Sequence, residues 1–164
     1  MEQILEHRIG TTRVLHLGER VALGLAVAAG EIGRPIEATL ARNGLDSREY
    51  AVLRMLRGAR RHGLRHGEIA ERMLLGSPDV TRIADKLKRR GWIRKQRDQI
   101  DGRVVLHHIT PAGVEKLEEL EDPLTEVFDR IVASIGPARA EDLVRACERA
   151  IAAGAAMETE GSSR

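Results

Sequence analysis

The sequence predicts a mainly α-helical chain with one small β-hairpin. Three observations predict it. Apolar residues recur at helical spacing through most of the 164 residues. One stretch, residues 92–109, turns strand-like around an Asp-Gly pair. Helix starts are marked by residues that satisfy free backbone donors, most clearly Ser77-Pro78 and Thr110-Pro111.

The first long segment runs from about Thr12 to Ala41. Leu17, Val21, Leu25, Ala28, Ile32, Ile36 and Leu40 recur at steps of four or three, which makes one apolar helical face. Pro35 is expected to kink it, because proline lacks a backbone donor and crowds the preceding turn. Asn43-Gly44 ends it with residues that tolerate the left-handed conformation. Asp46 or Ser47 then offers an N-cap, and Glu49 completes a capping box with Asp46. Tyr50, Val52, Leu53 and Leu56 stripe a second helix that ends near Arg61-His62-Gly63. A short third helix fits Gly67 to Leu74, and Leu75-Gly76 makes a turn.

Ser77-Pro78 starts the next helix. Val80, Ile83, Ala84 and Leu87 lie at i, i+3, i+4 and i+7, with polar and basic residues on the other faces, and Gly91 stops it. Residues 92–97 and 103–109 then read as two strands around a tip with Asp101-Gly102 at its end. Thr110-Pro111 begins another helix, faced by Val114, Leu117, Leu120, Leu124, Val127, Phe128 and Ile131, with a kink expected at Pro123. Gly136-Pro137 breaks the chain before a last helix over about 138–153. The tail, 158–164, is expected to be flexible.

Helix, helix, turn, helix, hairpin is the order of a winged helix-turn-helix. The fold class is therefore mainly α with a small β-hairpin wing, flanked by N- and C-terminal helices. The expected organisation is an N-terminal helix over 1–44, which must cross the rest of its own chain or pair with a second chain, and a DNA-binding region over 45–110. C-terminal helices follow over 111–157.

Charge points the same way. The net charge is only +2, but residues 46–110 hold 16 Lys or Arg against 8 Asp or Glu. The rest of the chain is net acidic. A basic middle between acidic ends is a plausible polyanion footprint. The helix from Ser77 can enter a major groove, which admits a helix and displays distinct donor and acceptor patterns. Ser77, Pro78, Asp79, Thr81, Arg82 and Lys86 would sit at its reading face. Lys95 and Arg97 suit phosphate contacts, which position without specifying sequence. Arg103, at the wing, suits a narrow minor groove.

Composition excludes other classes. Aromatic residues are 2%, too few for stacking platforms that bind single strands. No apolar run approaches the roughly 18 residues of a membrane span. The acidic start lacks the basic region of a secretory signal, so a cytoplasmic location is expected. The single cysteine, Cys147, cannot build a disulfide framework and has an acid beside it, so a packed, unreactive thiol is expected. His107 and His108 are adjacent on a strand and point to opposite faces, while His62 and His66 straddle a helix end at Gly63. Neither pair suits a metal, so no metal and no cofactor are expected. There is no Gly-rich phosphate loop, no Gly-x-Ser-x-Gly and no His-Glu-x-x-His, so no enzyme is expected.

The stretch from Leu45 to Leu120 resembles the multiple antibiotic resistance regulator (MarR) family of bacterial transcription factors. The resemblance is carried by Leu53-Arg54-Met55-Leu56, Glu68-Ile69-Ala70-Glu71-Arg72 and Val80-Thr81-Arg82-Ile83-Ala84-Asp85-Lys86-Leu87. It continues through Arg90-Gly91-Trp92-Ile93-Arg94, Asp101-Gly102-Arg103 and Leu106-His107-His108-Ile109-Thr110-Pro111-Ala112-Gly113. It implies a homodimer with interleaved terminal helices that reads a pseudo-palindromic operator as a repressor. It implies that Asp101 braces the wing and that Arg103 enters the minor groove, although Gly102 stands where the family often has arginine or glutamate. It also implies release by a small anionic or phenolic effector. His16 and Arg20, four apart beside the first helix's apolar stripe, are candidates to hold an effector's carboxylate. A second reading keeps the winged helix but makes the chain a protein–protein adaptor without sequence-specific DNA binding.

Overall fold

The computed structural model describes residues 4–10, 13–73, 79–98 and 101–161. It divides into two compact units, Met1–Leu124 and Thr125–Arg164. The first contains α1 (Ile4–Ile9), α2 (Leu17–Arg42), α3 (Ser47–Gly58), β1 (Leu64–Arg65), α4 (His66–Arg72) and α5 (Val80–Arg89). It continues with β2 (Ile93–Arg97), β3 (Val105–Ile109), α6 (Pro111–Glu118) and the first turn of α7 (Glu121–Ile135). The second contains the rest of α7, and α8 (Pro137–Gly161). The molecule is mainly helical with one small sheet, as the sequence predicts.

α2 begins at Leu17, the first residue of the apolar stripe and later than the expected start near Thr12, with His16 as its cap. The His16 Nδ1 accepts the N–H of Gly18 at 3.1 Å, and the Glu19 carboxylate accepts the N–H of His16 at 3.2 Å. Pro35 lies inside a helix that runs unbroken from Leu17 to Arg42. At the far end Gly44 adopts φ +77°. The N–H of Leu45 then reaches the Leu40 carbonyl and that of Gly44 the Ala41 carbonyl, both at 3.0 Å. This paired closure needs a left-handed residue, which glycine adopts without steric penalty.

Between the two candidate caps of α3, the structure uses Asp46. Its carboxylate accepts the N–H of Glu49 at 2.8 Å, and Glu49 returns the contact at 3.1 Å. The described part of α5 starts after Asp79, whose carboxylate accepts the N–H of Arg82 at 3.0 Å. Ser77 and Pro78, expected to start this helix, lie outside the described residues, as do Leu75 and Gly76 of the expected turn.

The sheet is three-stranded and antiparallel, in the order β1-β3-β2. β2 and β3 form the expected hairpin, with Ile93 opposite Ile109 and Arg97 opposite Val105. β1 was not anticipated. Two residues are too short to show an alternating pattern, and Leu64 and Arg65 become a strand only by pairing with His107 and Leu106.

The break after α6 falls at Glu119–Leu120, ahead of the kink expected at Pro123. A continuous helix would drive the Pro123 ring into the Glu119 carbonyl. Ending α6 first puts Pro123 in the opening turn of α7, where no helical N–H is needed. α8 continues to Gly161, past the expected end near Ala153 and into the tail expected to be flexible.

The core of the first unit joins α3, α5, the sheet and α6 through Val52, Leu53, Leu56, Ile83, Leu87, Ile93 and Leu117, all buried. Leu40 from α2 and Leu120 and Leu124 after α6 belong to the same cluster. Each such side chain contributes roughly 1.5–3 kcal/mol on burial. Gly113 lets α6 approach closely: a Cβ there would stand 2.2 Å from the Trp92 carbonyl oxygen. Thr110 fixes the same corner, donating its hydroxyl to the Gly91 carbonyl at 2.6 Å and its N–H to Trp92 at 3.0 Å.

Candidate nucleic-acid interface

α5 is strongly two-sided. Val80, Ile83, Ala84 and Leu87 are buried, and Thr81, Arg82, Lys88 and Arg89 are exposed. The spacing of the buried four leaves the polar residues nowhere but outward. Arg82 keeps 77% of its side chain exposed and lies 4.0 Å from Asp79. Asp79 itself is engaged in capping the helix.

Lys86 is held differently. Its Nζ lies 3.0 Å from Glu49 Oε2 and 3.7 Å from Asp46 Oδ2. Glu49 is completely buried, and its Oε1 lacks a hydrogen-bond partner, with the Arg90 guanidinium 3.7 Å away. Arg90 also donates to the Gly44 carbonyl at 2.5 Å and stacks over Trp92 at 4.9 Å. The C-terminal half of α5 is therefore tied to the start of α3 by charge. Sequence reasoning placed Glu49 only as a cap. Its charge is met by a lysine three elements further on, which no local pattern reveals.

At the wing, Arg103 is exposed, and its N–H donates to the Asp101 carboxylate at 3.0 Å. The Val104 N–H bonds the Asp101 carbonyl at 2.9 Å, and the Asp98 carboxylate accepts the Asp101 N–H at 3.0 Å. Arg97 donates to the Gly102 carbonyl at 2.9 Å. Gln99 and Ile100 lie outside the described residues. Lys95 pairs with Asp85 of α5 at 2.7 Å, and that ion pair holds the Asp85 carboxyl below its usual range.

Both strand histidines are buried, on opposite faces of β3. Burial pushes both rings below their ordinary value; for His107 a hydrogen bond to the Leu64 carbonyl at 3.3 Å partly opposes this. Among the described residues no group of three His, Cys, Asp or Glu could hold a metal ion. Of the candidate effector ligands, His16 has Nδ1 committed to the cap of α2, and Arg20 is exposed.

A pocket of about 520 Å³ lies elsewhere, between α3 and the end of α4. Ala51, Met55 and Met73 line it, with Tyr50 beneath the Arg54 guanidinium at 5.7 Å and Arg72 nearby. Apolar walls with a phenol and guanidinium groups suit a small aromatic anion. No local pattern marks this pocket, because its lining comes from two separate helices.

These elements define a winged helix-turn-helix protein. Residues 45–105 match the model of the MarR family. The HTH-type transcriptional regulator YkoM of Bacillus subtilis (strain 168) is 30% identical over 102 residues, covering 62% of this chain and 65% of YkoM. The chain thus spans just under two thirds of that relative's length. A crystal structure of a MarR transcription factor from Planctomyces limnophilus is 28% identical, with a TM-score of 0.63, covering 83% of this chain and 98% of that one. The transcriptional repressor CouR, solved bound to a 23-mer DNA duplex, shares the fold at a TM-score of 0.72 and 21% identity, covering 85% of this chain and 99% of CouR. The winged-helix segment of this chain is thus similar to the MarR family in sequence and in fold.

Proposed function

We propose that this chain is a cytoplasmic, homodimeric DNA-binding transcriptional regulator without enzymatic activity. In this reading it represses by occupying a pseudo-palindromic operator and is released by a small anionic or phenolic effector. The observation that carries the reading is α5, with one face locked in the core and the opposite face open, polar and basic. The fold it shares with CouR supports the same placement.

In this arrangement Thr81 and Arg82 read base edges in the major groove, with Ser77, Pro78 and Asp79 at the helix entrance. Lys86 serves from an anchored position. Arg103 reaches the minor groove from a turn braced by Asp101, and Lys95 and Arg97 contact phosphates. Two such lobes related by a two-fold read half-sites about one helical turn, roughly 34 Å, apart. Dimer formation is supported by apolar side chains left in water: Leu17 and Val21 on α2, and Val144 and Ile151 on α8. The effector's place is the pocket of Tyr50, Arg54 and Arg72, beside the start of α3.

Selection of bound sequences from a random duplex pool tests the reading. An enriched inverted repeat with half-sites one turn apart is the expected result. No enrichment by a folded dimer would favour a protein–protein adaptor instead. Titrating aromatic acids against the bound complex tests the effector, and Arg54→Ala should blunt the release.

A further inference from the structure

A second cleft lies at the root of the wing, away from the exposed face of α5. It has a volume of about 470 Å³ and opens between the α3–β1 turn and the hairpin. Arg61 and His62 stand on the turn, Arg65 on the edge strand β1, and Arg97 at the end of β2. β1 pairs with β3 so that Arg65 lies opposite Leu106, which lines the floor together with His108.

The two carboxylates in the wall are already engaged. Glu68 accepts the N–H of Arg65 at 2.7 Å, and Asp98 accepts the N–H of Asp101 at 3.0 Å. The three guanidinium groups outnumber the two acids, and each acid accepts a backbone N–H. His108 is more than nine-tenths buried, yet among the described residues its Nε2 has no hydrogen-bond partner. The ring is pressed under Gly63, where a Cβ would stand 2.8 Å from Nε2, so the turn needs its glycine at φ +70°. Buried polar atoms in folded proteins nearly always have a partner, and exceptions call for an explanation.

We infer that the wing-root cleft is an anion site for a phosphorylated small molecule, held by Arg61, Arg65 and Arg97 over the His108 ring. Phosphate oxygens match paired guanidinium donors in charge and geometry. The volume falls within the range of small-molecule sites. Arg97 links the cleft to the wing, because the same guanidinium donates to the Gly102 carbonyl at the tip. An occupant that recruits Arg97 competes with that bond and loosens the turn presenting Arg103. This last consequence rests on the DNA-binding reading; the binding itself does not.

Inorganic pyrophosphate is the probe. It is titrated into the full chain, without DNA, by calorimetry and by nitrogen-correlated NMR at constant ionic strength. Saturable binding is expected, with the largest shifts at Arg65, Arg97 and the His62 and His108 rings. Arg61→Ala with Arg65→Ala, both exposed, should weaken it about tenfold or more while the thermal unfolding midpoint stays in place. A non-saturating response, or one equal in the double variant, overturns the site. A phosphate could also come from a DNA backbone. If pyrophosphate does not bind but the double variant shows a shallower salt dependence of DNA affinity, the cleft holds backbone phosphate and the small-molecule site is overturned.

Discussion

The two halves of α5 hold their basic side chains differently. In the N-terminal half, Arg82 extends into water with Asp79 at its rim. In the C-terminal half Lys88 and Arg89 are exposed as well, but Lys86 is drawn onto buried Glu49, and Arg90, just past the helix, is held by Gly44 and Trp92. A count of basic residues treats these alike. The first is available to a partner, and the second fixes the angle of the helix against α3. A buried carboxylate is costly unless it is paired, so the Glu49 contact works chiefly through what its loss would do.

That contrast can be broken most forcefully at Leu87, on the buried face. Leu87→Ala should destabilise the protein by about 2–5 kcal/mol, read by denaturant unfolding, with DNA affinity falling only as the folded fraction falls. Lys86→Met should come next. It leaves buried Glu49 with the Asp46 N–H and, of its two cations, the more distant Arg90, and should lower stability by about 1–3 kcal/mol. If unfolding is unchanged, the anchoring role of that half is wrong. Arg82→Ala should do the reverse, leaving the melting temperature in place while weakening operator binding by about 1–3 kcal/mol. Loss of stability in Arg82→Ala would erase the distinction between the halves.

A smaller effect comes from the histidines beneath the wing. Burial pushes the His107 and His108 rings below their ordinary value of 6.5 and so disfavours their charged forms in the folded chain. The unfolded chain takes up these protons first as pH falls. Stability is therefore full above about 6.5 and declines as pH drops through that value toward the folded-state values. Melting temperatures measured from pH 7.5 down to 5.5 should fall, and His107→Gln should flatten the trend. Least affected should be Arg145→Ala on α8. Its contacts with Glu141 and Asp142 are exposed ion pairs, worth about 0–1 kcal/mol.

Much of the fold was legible because its signals are local. The Asp46–Glu49 capping box, Gly44, the spacing of Val80, Ile83, Ala84 and Leu87, and Thr110-Pro111 each depend on residues within a turn or two. What escaped depends on distance. β1 exists only through its pairing with β3, and its two residues carry no periodicity. The break before Pro123 reflects a clash with a carbonyl four residues back, so a proline marks a helix start as readily as a kink. The exposed side chains of α5 follow from its spacing, but the capture of Lys86 by Glu49 does not. The two basic-walled cavities were equally hidden, since each is lined by residues far apart along the chain.

The corner at Gly113 has a mechanical consequence. α6 rests on the Trp92 carbonyl with no room for a methyl group, and Thr110 is bonded to both Gly91 and Trp92. Gly91 and Trp92 are the residues that join α5 to β2. Such a joint has almost no slack. A push on α6 is not absorbed in a soft layer of side chains; it arrives at the end of α5 and the root of the hairpin together. The glycine, unfavourable for the helix it sits in, makes that transmission stiff.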